Sequence, residues 1–581
     1  PLKLPSEKLG ITAAMLKPLV EKEIVDLKTV KKEPGAGNRF PETGPVALNQ
    51  EQKNAAETVI RDYDSGQRKT YLLYGITGSG KTEVYMELID YVLRKGRQAI
   101  VLIPEISLTY QTVMRFYRRF GNRVGIMNSR LSAGERYEQS ERAANGEIDI
   151  MIGPRSALFT PFPDLGLIII DEEHEGAYKS ETAPRYDARE VAKVRADMSR
   201  AAVVLGSATP SVESYYLAEQ GEYKLLTLTK RAKENSRLAG VHIVDLREEL
   251  AEGNRSIFSR RLKGLIEDRL ANRQQVMLFM NRRGYAGFVS CRSCGKAMKC
   301  PHCDVSLTYH KNGRLNCHYC GFERPLPDRC PACGSPFIAP FGTGTQKLEE
   351  FTKREFPKAR ILRMDADTTA KKGAHEEILA TFAEGGADIL IGTQMIVKGH
   401  DFANVTLVGV MAADLSLYAP DYKSAERTFE LLTQASGRAG RGELQGDVVI
   451  QTYAPDHYAV SSAAEQDYLQ FYRQELLYRK MMGYPPLVGL LTIGLSSKRE
   501  ADVIRASEDM KRVILREYAL DGLKVIGPVE DSPYKLNDNY RKILYMKHEN
   551  YDILIKIQKY VKMRWDETES CKKLTLQCDF T

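Results

Sequence analysis

A glycine-rich segment early in the chain has the composition of a phosphate-binding loop. Residues 75–82, Gly-Ile-Thr-Gly-Ser-Gly-Lys-Thr, satisfy the pattern G-x-x-x-x-G-K-[ST]. An apolar run at 70–74 precedes them and a helical pattern at 83–93 follows, which is the context that the motif requires. Such a loop surrounds the phosphates of ATP with backbone N–H groups, while its lysine neutralises charge and its threonine binds Mg²⁺. The predicted nucleotide-binding residues are Gly75, Ile76, Thr77, Gly78, Ser79, Gly80, Lys81 and Thr82.

An acidic pair follows the apolar run at 165–170. Asp171 ends this run, and a carboxylate in that position can hold Mg²⁺ beside the phosphate loop. Glu172 is then placed to activate the attacking water as a general base. An acidic turn at a strand end is the plain alternative, but the phosphate loop upstream favours the catalytic interpretation.

Two arginines spaced by three residues occur late in the chain. Residues 434–441 contain Gln434, Arg438 and Arg441 in the pattern Q-x-x-G-R-x-x-R. Phosphoryl transfer needs positive charge at the γ-phosphate, so both arginines are candidate arginine fingers and Gln434 is a candidate for positioning water or phosphate. A surface helix with satisfied arginines is the alternative, which the neighbouring glycines disfavour.

Eight of the ten cysteines lie between 291 and 333 as four C-x-x-C pairs. Each pair can deliver two thiolates to one tetrahedral ion, so four pairs predict two Cys₄ zinc sites. A nested pairing is favoured, in which the inner pairs share one ion and the outer pairs share the other; an interleaved pairing and iron–sulfur clusters are the alternatives. The predicted zinc ligands are Cys291, Cys294, Cys300, Cys303, Cys317, Cys320, Cys330 and Cys333. Side chains of this insertion that could contact DNA are Arg292, Lys296, Lys299, Arg314 and Tyr319.

Two blocks of alternating strands and helices must position these residues. Apolar runs predict strands at 70–74, 98–103, 148–152, 165–170 and 201–205 in the first block, and at 275–280, 360–364, 388–391, 406–410 and 446–453 in the second. Strands that alternate with helices indicate parallel sheets, covered by helices on both faces. The predicted domains are residues 46–225 and 226–455 for the two blocks, with the cysteine insertion at 291–333 in the second, and 456–581 for a C-terminal domain. A helical segment at 1–30 and a Pro/Gly-rich linker at 31–45 precede them.

Length and composition narrow the class of protein. A chain of 581 residues is long enough for three or four domains. The longest apolar runs are far too short to span a membrane, and no export leader opens the chain, so we expect a cytoplasmic protein whose cysteines bind metal rather than form disulfides. The net charge of +8 is mild, but residues 281–340 hold nine Lys/Arg against three Asp/Glu. Such an excess suits a polyanionic partner or an ordinary solvated surface.

The order of these motifs resembles that of superfamily 2 helicases: phosphate loop, Asp-Glu-x-His at 171–174, Gly-Ser-Ala-Thr at 206–209, and Q-x-x-G-R-x-x-R. With the eight-cysteine insertion, the chain is similar to the bacterial replication-restart helicases. The resemblance implies an α/β fold of two RecA-like parallel-sheet lobes, a double-zinc insertion in the second lobe, a winged-helix remnant at 1–30 and an α+β C-terminal domain. It also implies that Gln52 reads adenine. Further strings that carry the resemblance lie at 101–108, 153–159, 279–284, 342–346, 365–369, 391–402 and 484–486.

The resemblance implies ATP-dependent unwinding of forked DNA with 3′-to-5′ polarity, primosome assembly, and help in loading the replicative helicase. Implied partners are forked and single-stranded DNA, single-strand DNA-binding protein and helicase-loader proteins, for a nucleoid-associated monomer. The implied DNA-binding residues are Pro104, Arg155, Tyr178, Lys179, Arg185, Tyr186, Thr393 and Gln394. The family often has Trp where this chain has Pro184, so base stacking would fall to the tyrosines. Arg541 and Lys542 are candidate contacts in the tail, whereas Trp565 is expected in a core.

Relatives carry an N-terminal domain that captures a DNA 3′ end, and the chain begins at Pro1 inside what resembles the following winged helix. We therefore expect a weakened preference for forks with a 3′ leading-strand end. Two alternatives to a DNA helicase stay open at this point. One is another motor, a double-strand DNA translocase or an RNA helicase. The other is a fork-binding scaffold whose ATPase is regulatory.

Overall fold

The computed structural model describes residue 44 and residues 46–567 and 574–580, apart from 105–109, 130, 233–238, 281–287, 311–312, 341–343, 366, 370–372, 398–401, 420 and 441–443. The predicted winged-helix remnant, most of the linker, Arg441 and Cys571 lie outside the described residues.

A seven-stranded, all-parallel sheet forms the first lobe, in the order β3-β4-β2-β5-β6-β1-β7. The central strands are continuous apolar runs because helices cover both faces of the sheet. Its strands are β1 (Thr70–Gly75), β2 (Gln98–Leu102), β3 (Val124–Ile126), β4 (Ile150–Gly153), β5 (Leu165–Asp171), β6 (Ala202–Ser207) and β7 (Lys224–Leu228). Its helices are Gln50–Asp64, Lys81–Arg94, Tyr110–Phe120, Ala133–Ala144, Ala188–Ser199 and Val212–Glu219. Short 3₁₀ turns lie at Gly121–Arg123, Arg155–Phe159 and Gly176–Tyr178.

A second parallel sheet, of six strands, forms the second lobe in the order β15-β16-β9-β17-β18-β8. Its strands are β8 (Gly240–Asp245), β9 (Gln275–Phe279), β15 (Ile361–Met364), β16 (Ile389–Gly392), β17 (Val405–Val410) and β18 (Asp447–Thr452). Its helices are Leu246–Ala251, Arg260–Ala271, Thr345–Glu355, Ala374–Ala383, Gln394–Val397, Asp414–Leu417 and Ser424–Ser436. The two lobes contact each other near the strand ends that carry the motifs, and this junction is called the cleft below.

The cysteine insertion enters the second lobe after β9. Its strands form one antiparallel pair, β10 (Val289–Cys291) with β14 (Ile338–Pro340), and one three-stranded ribbon of β11 (Thr308–Tyr309), β12 (Arg314–Asn316) and β13 (Glu323–Pro325). The C-terminal domain is an antiparallel sheet in the order β20-β21-β19-β22. Its strands are β19 (Gly489–Ser497), β20 (Lys524–Leu536), β21 (Asn539–His548) and β22 (Thr575–Phe580), and its helices are Glu500–Glu517 and Tyr551–Glu567.

All ten strands predicted from apolar runs are present, to within two residues at most ends. Within the two parallel sheets, three described strands, β3, β7 and β8, have no counterpart in the prediction. Each lies at the edge of its sheet, and β7 and β8 are only partly buried, so their apolar pattern is weak. Because β7 pairs with β1, the first lobe extends past residue 225, the boundary expected from the sequence.

Two helices after β18, Tyr458–Glu465 and Tyr468–Met482, pack on the lobes rather than on the C-terminal sheet. Ala459, Val460 and Phe471 lie in the same buried cluster as residues of both lobes. Helix Tyr468–Met482 is called the strap helix below. Within the described part of the chain, no helix is both long and apolar enough to cross a membrane.

Candidate active site

The phosphate loop connects β1 directly to helix Lys81–Arg94. Gly78 and Gly80 have φ angles of +79° and +80°, a conformation that favours glycine and lets the chain turn tightly. Gly80 is the N-cap of this helix, and it has no side chain that could accept hydrogen bonds from the first turn. The N–H groups of that turn can therefore bind an anion. Lys81 Nζ lies 2.8 Å from the carbonyl oxygen of Gly75, which holds the lysine across the loop. The buried hydroxyl of Ser79 has no protein partner among the described residues, and these features together fit a nucleotide phosphate.

The side chain of Gln52 binds the backbone of this loop. Its amide nitrogen donates to the Ser79 carbonyl at 2.8 Å, and its amide oxygen accepts from the Asn49 N–H at 2.8 Å in a capping box. A Cβ on Gly80 would lie 2.3 Å from the Gln52 amide nitrogen, so the loop packs tightly on this side chain. The structure therefore gives Gln52 a supporting contact to the loop, and adenine reading stays a prediction.

Asp171 closes β5 beside the loop. Its carboxylate accepts a 2.9 Å hydrogen bond from the Tyr85 hydroxyl, and its backbone carbonyl accepts one of 2.6 Å from Tyr178. Burial, together with the charge of Glu172, raises the pKa of Asp171 to about 6, while Lys81 opposes this rise. A partly buried carboxylate within electrostatic reach of Lys81 suits a divalent cation, and Thr82 lies in the first turn of the helix that Lys81 begins, so Asp171 and Thr82 are the residues that would hold Mg²⁺.

Glu172 and His174 connect the acidic pair to two other motifs. Glu172 adopts a φ of +48°, a costly backbone conformation for this residue type that is often found at functional sites. The buried His174 ring lies 3.6 Å from Glu172 Oε2 through Nδ1, and Nδ1 also lies 2.7 Å from Ser207 Oγ. Its Nε2 lies 3.0 Å from the amide nitrogen of Gln434 in the second lobe. One imidazole thus links the acidic pair, Gly-Ser-Ala-Thr and the glutamine of the second lobe.

Contacts across the cleft also bring the arginine motif to the phosphate loop. A Cβ on Gly437 would lie 2.9 Å from Thr77 Cγ2, so the backbone before Arg438 touches the loop itself. Arg438 is half-buried next to this contact, whereas Arg441 is outside the described residues. The sequence alone assigns no role to Tyr85 or to the side chain of His174. Tyr85 carries no motif signal, but the spacing of His174 from Asp171 does.

The cysteine insertion gathers its thiols into two groups of four, Cys291/Cys294/Cys330/Cys333 and Cys300/Cys303/Cys317/Cys320. This is the nested pairing that the sequence favoured. Neighbouring Sγ atoms are 3.5 to 3.7 Å apart. Thiolates around one tetrahedral zinc, at about 2.3 Å from the metal, would be about 3.8 Å apart, so the spacing fits a single zinc ion in each group. The chain thus has two Cys₄ zinc-binding sites.

Two of the implied DNA-binding residues are buried. Tyr178 is 1% exposed, and its hydroxyl donates to the carbonyls of Leu102 and Asp171. Its predicted stacking on bases is wrong for this structure, because the ring packs in the first-lobe core. Pro104 is likewise buried at the end of β2. Arg155 is partly exposed but donates to the carbonyls of residues 177 and 179, at 2.9 Å each, and so braces the loop that follows Asp171.

The remaining basic residues of this loop contact the C-terminal strand β22. Lys179 Nζ lies 2.7 Å from Asp579 Oδ1 and donates to the Phe580 carbonyl at 2.9 Å. Arg185 pairs with the same carboxylate at 3.4 Å and donates to Gln577 at 2.9 Å. Tyr186 packs edge-on against Phe159, with ring centroids 5.4 Å apart. Thr393 and Gln394 lie half-buried at the start of helix Gln394–Val397 in the second lobe.

The insertion and the C-terminal sheet also engage residues that were expected to face DNA. Tyr319, a candidate DNA contact in the sequence, instead stacks on Tyr545 of β21, with ring centroids 5.0 Å apart. Arg541 pairs with Asp531, and the Lys542 ammonium lies 5.5 Å from the centre of the Tyr534 ring. Trp565 is half-buried on helix Tyr551–Glu567. Arg292, Lys296 and Lys299 remain exposed on the insertion.

The first parallel sheet carries a phosphate loop and an acidic pair. A helix with the Gln/Arg motif, from the second parallel sheet, meets them across the cleft. This arrangement defines an ATP-dependent helicase built from two RecA-like lobes. Four family models match the chain in order. They are the type III restriction enzyme res subunit at residues 45–212, the Cys-rich region of the PriA DNA helicase at 300–325, the helicase conserved C-terminal domain at 338–443 and the primosomal protein N C-terminal domain at 480–580.

Three relatives, each called replication restart protein PriA, extend this match to most of the chain. The Bacillus subtilis protein is 47% identical over 545 residues, which are 93% of this chain and 68% of that protein. The Synechocystis protein is 44% identical over 88% of this chain and 62% of its own length, and the Chlamydia pneumoniae protein is 41% identical over 92% and 70%. The chain belongs to the PriA family of replication restart proteins.

Proposed function

We propose that this chain is an ATP-dependent DNA helicase that moves 3′ to 5′ on forked DNA during replication restart, and that it takes part in primosome assembly and in loading the replicative helicase. The observation that carries the proposal is the meeting of both lobes at the nucleotide site. Gly437 lies against Thr77 of the phosphate loop, and Gln434 reaches His174 beside the acidic pair. Hydrolysis at such a junction changes contacts of both lobes at once, which is what a translocating motor requires.

In this mechanism the loop N–H groups and Lys81 hold the phosphates, and Thr82 and Asp171 hold the cation. Mg²⁺, when bound there, neutralises charge on the transferred phosphoryl group. Glu172 takes the proton of the attacking water, and its strained backbone fixes the carboxylate beside His174. Arg438, with Arg441, supplies positive charge from the second lobe as the leaving group departs. Contacts from Gln434 to His174 and from His174 to Ser207 couple the second lobe to the Gly-Ser-Ala-Thr segment of the first.

For the DNA track, the partly exposed cations of the first lobe are the best candidates. Lys179 and Arg185 lie on the loop that follows Asp171, and Arg155 donates to the backbone of that loop. Thr393 and Gln394 offer polar groups from the second lobe. Phosphate contacts of this type are independent of base sequence, as a restart helicase needs. We propose single-strand DNA-binding protein and helicase loaders as partners, and an association with the nucleoid. The domain limits proposed with this function are 46–228 and 229–455 for the two lobes and 483–581 for the C-terminal domain, with the two helices of 458–482 packed on the lobes.

The test compares Lys81→Ala with Lys95→Ala, a lysine at the exposed C-terminal end of the same helix. DNA-stimulated ATP hydrolysis, unwinding of a fork and fork binding are measured for each. We expect Lys81→Ala to lose the first two by at least about a hundredfold and to keep binding, whereas Lys95→Ala behaves as wild type. Forks with a single 3′ or 5′ tail assign the polarity. Unwinding that survives Lys81→Ala contradicts the mechanism, and restart activity that survives without hydrolysis favours the scaffold alternative.

A further inference from the structure

Tyr85 lies in the helix that follows the phosphate loop, and its hydroxyl contacts the acidic pair rather than the loop. It is four residues after Lys81 in helix Lys81–Arg94 and is 1% exposed. Its hydroxyl donates to Asp171 Oδ1 at 2.9 Å. A buried phenol with its hydrogen bond directed at a partly buried carboxylate fixes the orientation of that carboxylate, because turning the carboxylate away would leave the phenol without its acceptor.

Gly206 shows how closely this contact is enclosed. In the register of β5 and β6, Asp171 lies opposite Gly206, the first residue of Gly-Ser-Ala-Thr. A Cβ on Gly206 would lie only 1.6 Å from the Tyr85 hydroxyl oxygen and 2.7 Å from Cζ. The glycine is therefore needed to leave room for the phenol. The Tyr85 hydroxyl is therefore the point where the helix after the phosphate loop, the acidic pair of β5 and the Gly-Ser-Ala-Thr segment of β6 come into contact.

We propose that Tyr85 is a positioning residue for the cation site: it holds Asp171 Oδ1 so that Oδ2 is presented to Mg²⁺, and Gly206 provides the space for it. Tyr178 donates to the backbone carbonyl of Asp171, so the phenol of Tyr85 holds the side chain and that of Tyr178 holds the main chain. This inference rests on the proposed ATPase, because it concerns the same cation. Groups that position a metal-binding carboxylate typically change metal affinity by about tenfold or more when removed.

The test is Tyr85→Phe, which removes the hydroxyl and keeps the ring. We expect the Mg²⁺ concentration for half-maximal DNA-stimulated hydrolysis to rise about tenfold, while kcat at saturating Mg²⁺ stays within about twofold of wild type. Binding of Mn²⁺ to the ADP-bound protein, followed by electron paramagnetic resonance, should weaken by the same factor. The matched control is Tyr71→Phe, which removes another buried hydroxyl of the first lobe that donates to a carboxylate, Asp62 at 3.1 Å, away from the site. Its Mg²⁺ dependence should not change.

A second variant checks the part played by Gly206. In Gly206→Ala the added methyl group displaces the hydroxyl, so the Mg²⁺ requirement should rise as in Tyr85→Phe, and adding Tyr85→Phe to it should cause no further rise. Unchanged Mn²⁺ affinity in Tyr85→Phe overturns the inference, as does an equal loss in Tyr71→Phe. If wild type hydrolyses ATP and Lys81→Ala does not, either result leaves the proposed function standing. If wild type itself shows no DNA-stimulated hydrolysis, the proposed function fails, and Mn²⁺ binding still decides on Tyr85.

Discussion

Arg479 lies fully buried in the strap helix, at the place where both lobes meet that helix, and Arg479→Met should destabilise their joint packing. Its guanidinium contacts three carboxylates: Glu475 at 2.8 Å in the strap helix, Glu426 at 2.7 Å in the second lobe and Glu213 at 3.1 Å in the first. It also donates to the Pro485 carbonyl at 3.0 Å. Glu426 in turn accepts the N–H of Val212 at 2.7 Å, so the cluster connects the lobes directly.

The size of the expected loss in unfolding free energy follows from the carboxylates that lose their cation in Arg479→Met. Without the guanidinium, Glu426 and Glu475 stay buried, and among the described residues neither has another cation within ion-pair distance, whereas Glu213 keeps Lys423 at 2.7 Å. Removing one partner of a buried ion pair costs about 3–5 kcal/mol, because the remaining charge is uncompensated. Methionine retains most of the side-chain volume, so the loss reports charge rather than a cavity. Arg499→Met is the control, since Arg499 is exposed and pairs with Asp502 at 3.3 Å; it should change stability by less than about 0.5 kcal/mol.

The stability deficit of Arg479→Met should depend on pH, and the shifted pKa values of the glutamates give the direction of that dependence. Burial by itself would raise the pKa of Glu213, but Lys423 and Arg479 together hold it well below its usual value. Ionised Glu213 therefore adds stability above about pH 4.5, and this stability is lost as the pH falls below that value. For Glu475 burial already raises the pKa despite Arg479, and the variant raises it further. A carboxylate of raised pKa costs stability when it ionises, so the deficit of Arg479→Met should be larger at about pH 7.5 than at about pH 5.5.

Urea unfolding followed by circular dichroism at both pH values measures the deficit. A deficit equal to that of Arg499→Met, or one that is independent of pH, would refute the reasoning that Arg479 compensates buried charge.

Two further outcomes concern DNA and zinc. Asp579→Asn removes the carboxylate that pairs with Lys179 and Arg185, so affinity for single-stranded DNA should rise several-fold. The slope of log affinity against log salt should steepen by about 0.7 for each phosphate gained, measured by fluorescence anisotropy; an unchanged slope contradicts it. Metal analysis should find about two zinc per chain, and chelation should remove hydrogen-exchange protection across 289–340 while both lobes keep theirs, because thiolate ligation supplies folding energy. Iron in the analysis, or loss of protection throughout the chain, would count against two independent structural zinc sites.

Several features follow from the sequence alone, because their causes are local. The phosphate loop needs glycine, lysine and threonine at fixed spacing between a strand and a helix, and each central strand is a continuous apolar run. Pairs of cysteines two residues apart deliver two ligands to one ion, so the number of zinc sites is visible in the sequence. These requirements act within about ten residues of chain, and a linear pattern records them.

Other features depend on residues that are far apart in the chain, and only the tertiary structure decides them. Tyr178 and Tyr319 look like exposed stacking rings in the sequence, yet one packs in the core beneath Asp171 and the other lies on Tyr545. Lys179 resembles a phosphate contact, but its partner is Asp579, 400 positions later. Tyr85 and Arg479 carry no motif, and their roles arise from carboxylates that folding brings within hydrogen-bond distance. A side chain's type states what it can bind, while its burial and its neighbours, which are set by packing of the whole chain, determine what it does bind.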